Sequence, residues 1–475
     1  MTAVSAVLAT TAALLTTAVL PGSTASAAGA PAGYAFDGDA RRVEGASGPS
    51  DAVPLEPGAT YRSSLPRDGT LYYRLDLDAA SDAYVAVTAV PGTGEVTAVD
   101  GVRVSVQDAD GTSCSSDSAT FGAARSPRPV TAWAVRETDP GGTRCQEPGT
   151  YYVTVERSRP EDSPPQDWDL ELSAVTEPRP REAGASEAPE SWDSASPEPV
   201  AGEAERRAGG DGFADATPVG PGAWRDDIRP GQTLFYRVPV DWGRRLHATA
   251  ELGGSGDRSG YATAALRLAL HNPVRGEVDD AAKGYTGRET AVGLAPLPPV
   301  AYANRYAADG QVAAMRFAGA YYLVVHLAAQ VADDFGEGPF ALTLRVRLEG
   351  ASRTGPEYAG EPRPRGVFEV PVTERAAAPG AGGTSRPMRR SRACRSRGVY
   401  MELLVRTRKG LPDSRSLLRK ASAPGIGTPS WMRTPSMSVS HDSMGLRSAM
   451  CNELPGVRWG MGGGAGTTAY RRPTA

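Results

Sequence analysis

Side chains able to do acid–base, nucleophilic or metal chemistry are scarce in this sequence. The 475 residues include four His and four Cys. A Ser or Cys nucleophile needs a base beside it, and that base needs a third group to orient it. The bases on offer, His247, His271 and His326, all fall in strand-like stretches of the second half. Each is expected to face solvent or to be capped by a backbone group. Neither Gly-x-Ser-x-Gly nor His-Glu-x-x-His occurs, and Gly253-Gly254-Ser255-Gly256 reads as a flexible turn. The expectation is a protein with no catalytic residues and no cofactor.

For a hard cation the chain offers Asp108-Ala109-Asp110-Gly111, Asp226-Asp227, Asp279-Asp280 and Asp333-Asp334. Calcium needs six to eight converging oxygens, whereas paired Asp in loops usually serve turns. None has EF-hand spacing, and no metal ligand is assigned. Tyr72, Tyr73, Tyr151, Tyr152, Tyr236, Tyr321 and Tyr322 suggest an aromatic carbohydrate platform or core packing. Neighbours on a strand face opposite sides, so one of each adjacent pair is expected in the core.

Cys114 follows a strand-like run and Cys145 precedes another. If those strands lie close, an oxidising exterior joins the thiols as a disulfide; two free buried thiols are the alternative. Cys394 and Cys451 need not pair.

The elements that position these groups repeat. Residues 59–78 align without a gap on 222–241 at an offset of 163, with Thr70-Leu71-Tyr72-Tyr73-Arg74 over Thr233-Leu234-Phe235-Tyr236-Arg237. Three later blocks follow: 102–108 on 266–272, 149–155 on 319–325 and 170–175 on 342–347. In Tyr72–Leu77 and Val102–Val106 apolar and polar residues alternate with period two, between turns rich in Gly, Pro and Asp. Glycine (55) and proline (40) make up a fifth of the chain and leave little room for long helices. The fold class is therefore all-β: two tandem jelly-roll-like β-sandwiches at 50–176 and 210–349. Between them, 177–209 is acidic and Pro-rich and reads as a disordered tether, with Trp192 as an exposed linker residue.

The repeated order of motifs resembles the bacterial pre-peptidase C-terminal domain. In the first copy it is carried by Leu55-Glu56-Pro57-Gly58, Leu71-Tyr72-Tyr73-Arg74, Asp108-Ala109-Asp110-Gly111 and Gly149-Thr150-Tyr151-Tyr152-Val153. In the second it is carried by Leu234-Phe235-Tyr236-Arg237, Asn272–Gly276 and Gly319-Ala320-Tyr321-Tyr322-Leu323. That resemblance implies a jelly-roll-like sandwich appended to secreted proteases and surface proteins, with adhesive or targeting roles and, in some members, bound calcium. The Ala/Gly/Pro/Arg-rich, Lys-poor chain also resembles exported proteins of high-GC actinobacteria. It departs from the pattern in lacking a catalytic domain before the modules and a membrane anchor after them.

The ends carry their own expectations. Residues 1–27 read as a signal peptide cut after Ala27, though no Lys or Arg precedes the apolar run. Residues 28–49 read as a flexible segment, and 350–385 as Pro/Gly-rich. The net charge of −4 splits sharply, because 386–475 hold 17 Lys and Arg against four acids, a balance of +13 that leaves −17 for the rest. For this basic tail, which begins with a run from Arg386 to Arg397, three readings stay open: a frame-shifted end that has lost a membrane anchor, a genuine disordered tail, or a small folded domain. No specific nucleic acid and no membrane span after signal removal are expected. The functional expectation is a secreted or cell-surface protein that is not an enzyme and binds a cell-wall glycan or an extracellular protein. An accessory or remnant of a secreted hydrolase, and a structural spacer, are the alternatives.

Overall fold

The computed structural model describes residues 33–378, except 93, 139, 140, 160, 162, 183, 185, 186, 190, 193, 196–199, 201 and 257. The signal peptide and the basic tail, with Cys394, Cys451 and the Arg386–Arg397 run, lie outside the described residues.

Alternating strands close two sandwiches, each of two five-stranded sheets. In the first module β1 (Arg41–Arg42), β3 (Thr60–Leu65), β5 (Ser81–Val90), β8 (Val130–Arg136) and β10 (Trp168–Pro178) form one sheet in the order β1-β3-β10-β5-β8. The facing sheet contains β2 (Val53–Pro54), β4 (Thr70–Leu77), β6 (Gly101–Asp108), β7 (Ser113–Thr120) and β9 (Gly149–Arg157), ordered β2-β4-β9-β6-β7. Successive strands from β3 to β6 step from sheet to sheet, as in a jelly roll.

The second module repeats this order. One sheet is β11-β13-β20-β15-β18, from β11 (Glu205–Arg206), β13 (Gly222–Ile228), β15 (Arg245–Leu252), β18 (Thr290–Gly293) and β20 (Phe340–Glu349). The other is β12-β14-β19-β16-β17, from β12 (Thr217–Pro218), β14 (Thr233–Val240), β16 (Ala262–His271), β17 (Glu277–Tyr285) and β19 (Gly319–Leu327). Even the register is kept: Thr70 opposes Glu156 and Leu77 opposes Gly149, while Thr233 opposes His326 and Val240 opposes Gly319. Among the described residues the α-helices are short pieces, α1 (Gly310–Ala314), α2 (Val331–Phe335) and α3 (Val372–Ala377).

Period-two patterning builds the cores. Leu71, Tyr73, Leu75 and Leu77 of β4 point inward onto Val153, Val155 and Trp168. A matching set from β14 and β19 meets Leu266, Leu268 and Leu344. Each such side chain contributes roughly 1.5–3 kcal/mol. Polar ends within these cores are also duplicated. Tyr73 donates its hydroxyl to Ser63 at 2.8 Å, and its counterpart Tyr236 donates to the Asp226 carboxylate at 2.8 Å. Tyr151 donates to the carbonyl of Glu147 at 2.6 Å, and Tyr321 to that of Phe317 at 2.8 Å. Gly45 and Gly209 occupy equivalent close approaches, where an added Cβ would lie 2.8 Å and 2.9 Å from the Leu71 and Leu234 Cβ atoms.

The disulfide joins Cys114 to Cys145, with Cα atoms 5.7 Å apart. Other expectations need correction. From Gly33 onward the segment expected to be flexible belongs to the fold, because Tyr34 meets Phe235 edge-on and Arg41–Arg42 pair with β3. The tether is shortened at both ends, since β10 runs to Pro178, Arg181 donates to the Glu357 carbonyl and Glu205–Arg206 pair with β13. Trp192 is half-buried and borders a groove of about 830 Å³ with Trp242 and Tyr302. One of each Tyr-Tyr pair is in the core as expected, but Phe235, on the outer face of β14, is buried too, under Phe213 and Tyr34.

Replacing Cys114 and Cys145 by Ser opens a loop of 31 residues and is expected to lower stability by about 3–4 kcal/mol, read as a fall in the urea midpoint. Tyr236→Phe strips a donor from a buried carboxylate and should cost about 2 kcal/mol. Tyr73→Phe loses a bond to a neutral hydroxyl and should cost about 1 kcal/mol, so unfolding titrations of the two variants should rank them in that order.

Candidate functional site

The cleft between the sandwiches holds the densest polar chemistry among the described residues. Arg305, which follows β18, reaches the first module and meets Asp82 at 3.0 Å and Glu177 at 2.7 Å. Glu177 also accepts from Tyr84 at 2.8 Å and from Tyr358 at 2.7 Å. Arg275 pairs with Glu171, and Arg316 with Glu137. Glu171 further accepts the Tyr34 hydroxyl at 3.0 Å and the Asp37 amide at 2.9 Å. Burial and the neighbouring Glu177 push the Asp82 carboxyl above its ordinary value.

An apolar strip runs beside these pairs. Tyr84 and Val175 of the first module pack with Val274 and Phe317 of the second. Phe368, beyond the second module, stacks on Phe317 with ring centroids 4.9 Å apart. The stretch carrying Phe368 is laced to β10 by reciprocal backbone bonds between Thr176 and Arg363, of 2.9 and 3.0 Å. Farther on, Glu374 and Arg375 of α3 return to Arg237 and Asp241 of the second module.

Next to this latch a polar cavity of about 320 Å³ opens between β7 and β8 on one side and β16, β17 and β19 on the other. Arg267 crosses its wall, paired with Glu277 at 3.0 Å and Asp280 at 2.5 Å. Arg128 donates to the carbonyls of Phe121 at 2.7 Å and Thr120 at 2.9 Å, and among the described residues it has no carboxylate within ion-pairing distance. Burial, with Arg267 adding to it, draws the Arg128 guanidinium down to about 9. Burial raises the carboxyls of Asp117 and Glu277. Asp117 accepts the Trp133 amide at 3.2 Å.

Two of the three strand histidines reach this cavity. His271 is buried, with Nδ1 at 3.2 Å from the Arg275 carbonyl, the backbone cap expected of it, and burial lowers it to about 4. His326 is buried between two hydroxyls, with Thr233 at 2.9 Å from Nδ1 and Ser126 at 2.9 Å from Nε2. Burial and the adjacent Arg128 hold it well below its ordinary value, so the ring is neutral. Ser126 also accepts the Ala329 amide at 2.9 Å. The ring's other nitrogen meets a threonine, where a catalytic triad would have a carboxylate. No sequence pattern signals this contact, since Ser126 lies in an unpatterned loop. His247 is elsewhere, 3.4 Å from Glu349, and burial lowers it.

The acidic pairs serve the fold. Asp108 accepts the amides of Asp110 at 3.1 Å and Thr112 at 2.8 Å in a turn. Asp226 takes Tyr236, and Asp227 pairs with Arg206. Asp279 accepts the Ala295 amide and Asp280 pairs with Arg267. Asp333 and Asp334 lie in α2, where Asp334 accepts the Tyr261 amide. Among the described residues no three His, Cys, Asp or Glu side chains group to hold a metal ion.

The buried histidines set a pH dependence. His271 binds a proton in the unfolded chain below about 6.5 but in the fold only near 4, so the unfolded state holds more protons within that window and stability falls as pH drops through it. His326 acts in the same sense. Comparing urea midpoints at pH 7 and pH 4.5, the acid loss in wild type should exceed that in His271→Gln by about 3 kcal/mol at most.

No protein-family model matches the chain, and a search of curated proteins finds no match. Among solved structures it is similar to the CUB1-EGF-CUB2 domain of human MASP-1/3, at 8% identity over 61% of this chain and 99% of that one, with a TM-score of 0.14. Tripeptidyl peptidase 2 gives 9% identity, 62% and 24% coverage and a TM-score of 0.19. The ANXUR2 extracellular domain from Arabidopsis thaliana gives 8% identity, 63% and 86% coverage and a TM-score of 0.16. TM-scores at this level carry no argument about function.

Proposed function

We propose that the protein is an exported, non-catalytic surface or secreted protein whose two sandwiches act together as one binding unit at the cell wall or extracellular matrix. The observation that carries this reading is the cleft itself. Two modules of the same topology are fixed to each other through buried ion pairs, and a polar cavity opens between them. A pair of sandwiches meant only as a spacer has no need of such an interface, because flexibly tethered domains serve that purpose.

Export is supported by the closed Cys114–Cys145 bridge, since disulfides persist in oxidising compartments, together with the cleavable leader read at 1–27. The module identity that fits the motif order is the pre-peptidase C-terminal type, and the ligand class we favour is a wall glycan. A non-catalytic role is supported by the Ser126–His326 contact, because Ser126 is fully buried and no carboxylate orients the imidazole.

Sedimentation of the purified full chain with insoluble actinobacterial cell-wall polysaccharide tests this. Saturable co-sedimentation of the folded protein is the expected result. A protein that stays in the supernatant with wall polysaccharide and with immobilised matrix proteins would refute it.

A further inference from the structure

Charged side chains around an interface cavity make poor cement. Apolar residues of similar volume commonly hold an interface as well as buried ion pairs do, or better, and a void forfeits the dispersion contacts of its walls. The strip around Tyr84, Phe317 and Phe368 shows that this chain can join its modules with apolar packing. A few residues away it keeps Arg128, Arg267, Glu277, Asp280 and Asp117 around open space instead.

We propose that this cavity is the ligand site and that it takes a neutral, hydroxyl-rich ligand of one or two sugar units. The proposal deepens the glycan-binding reading above and rests on it for the ligand's class. Size comes first: about 320 Å³ stands at the lower end of the roughly 300–1,000 Å³ of small-molecule pockets, which suits a sugar unit and excludes a peptide or nucleic acid strand.

Charge comes second. Two guanidiniums face three carboxyls, and both histidines are held neutral by burial, so the lining offers no surplus of positive charge for a phosphate or sulfate. The Arg267–Glu277–Asp280 cluster is already internally paired and has no ion to recruit.

Hydrogen-bonding capacity decides the class. A sugar hydroxyl donates and accepts at once, so it is best met by fixed donors and fixed acceptors side by side. Arg128 spends two N–H groups on backbone carbonyls and keeps others, while Glu277, Asp280 and Asp117 present carboxyl oxygens.

These groups are also held in place beforehand. Arg267 is gripped by two carboxylates, Asp117 by the Trp133 amide and His326 by two hydroxyls. A ligand therefore loses little affinity to ordering the site. Ala119 and Ala269 leave the room, and Thr120 lies exposed at the rim.

The test uses the full chain with glucose, galactose, mannose, N-acetylglucosamine and cellobiose, each up to about 10 mM, by isothermal titration and saturation-transfer NMR. Saturable binding of at least one sugar is expected. Ala269→Phe, which fills the cavity, should weaken it about tenfold or more. Thr120→Trp should do the same from an exposed position where folding is not at stake, with an unchanged thermal midpoint as the control. The site is overturned if no sugar binds saturably, if Thr120→Trp and any folded Ala269→Phe bind as wild type does, or if glycine or inorganic phosphate binds where the sugars do not. The two readings fail separately: a wild type that sediments with wall polysaccharide but binds no sugar here keeps the proposed function and loses the site, whereas one that binds sugar here and ignores the wall does the reverse.

Discussion

A carboxylate with no path to water has to be answered entirely by donors, and Glu177 is in that position, with its side chain fully buried. Its donors come from three parts of the chain: Tyr84 in the first sandwich, Arg305 in the second and Tyr358 in the stretch beyond both. Removing one partner of a buried pair leaves an uncompensated charge and costs about 3–5 kcal/mol, more than the pair itself is worth. The Glu177 cluster therefore contributes little to cohesion but penalises every other arrangement.

Duplication explains what the two modules share, and divergence explains where they meet. The common inheritance is internal: the strand order, the β4/β14 registers and the tyrosines that tie a strand to its neighbour. The differences lie at the edges. The first copy carries a disulfide. The second carries histidines and a buried outer face, where Phe213 and Tyr34 cover Phe235, the counterpart of the half-exposed Tyr72 of the first. A sandwich core tolerates little change because it is close-packed, whereas an outer face can be rebuilt once something covers it.

How much was legible follows the same division. Period-two alternation identified β4 and β6, because a strand with one wet face carries that period wherever it is placed, and the internal repeat extended the reading to β9, β10 and the second-copy partners. The disulfide was legible from two cysteines beside strands. The cleft was not. Ser126 and His326 are separated by 200 residues, and Glu177 stood at the start of a stretch whose Pro, Glu and Ser content signals solvation. Composition reports what a segment can bury by itself and is silent about an arginine arriving from elsewhere. Trp192 misled for the same reason, since its neighbours in sequence are polar and its neighbours in space are Trp242 and Tyr302.

The balance of charge separates the two environments. Up to Ser385 the sequence carries −17, yet the groups that meet inside the cleft are nearly matched, with Arg305, Arg275, Arg316, Arg267 and Arg128 against Asp82, Glu177, Glu171, Glu137, Glu277, Asp280 and Asp117. The excess acid therefore lies mainly on surfaces that salt can screen within about 10 Å at 0.1 M, while the buried pairs are screened far less. Salt that alters how the outside is attracted or repelled therefore acts least on the pairs Arg305 makes with Asp82 and Glu177, which join the modules and are nearly fully buried.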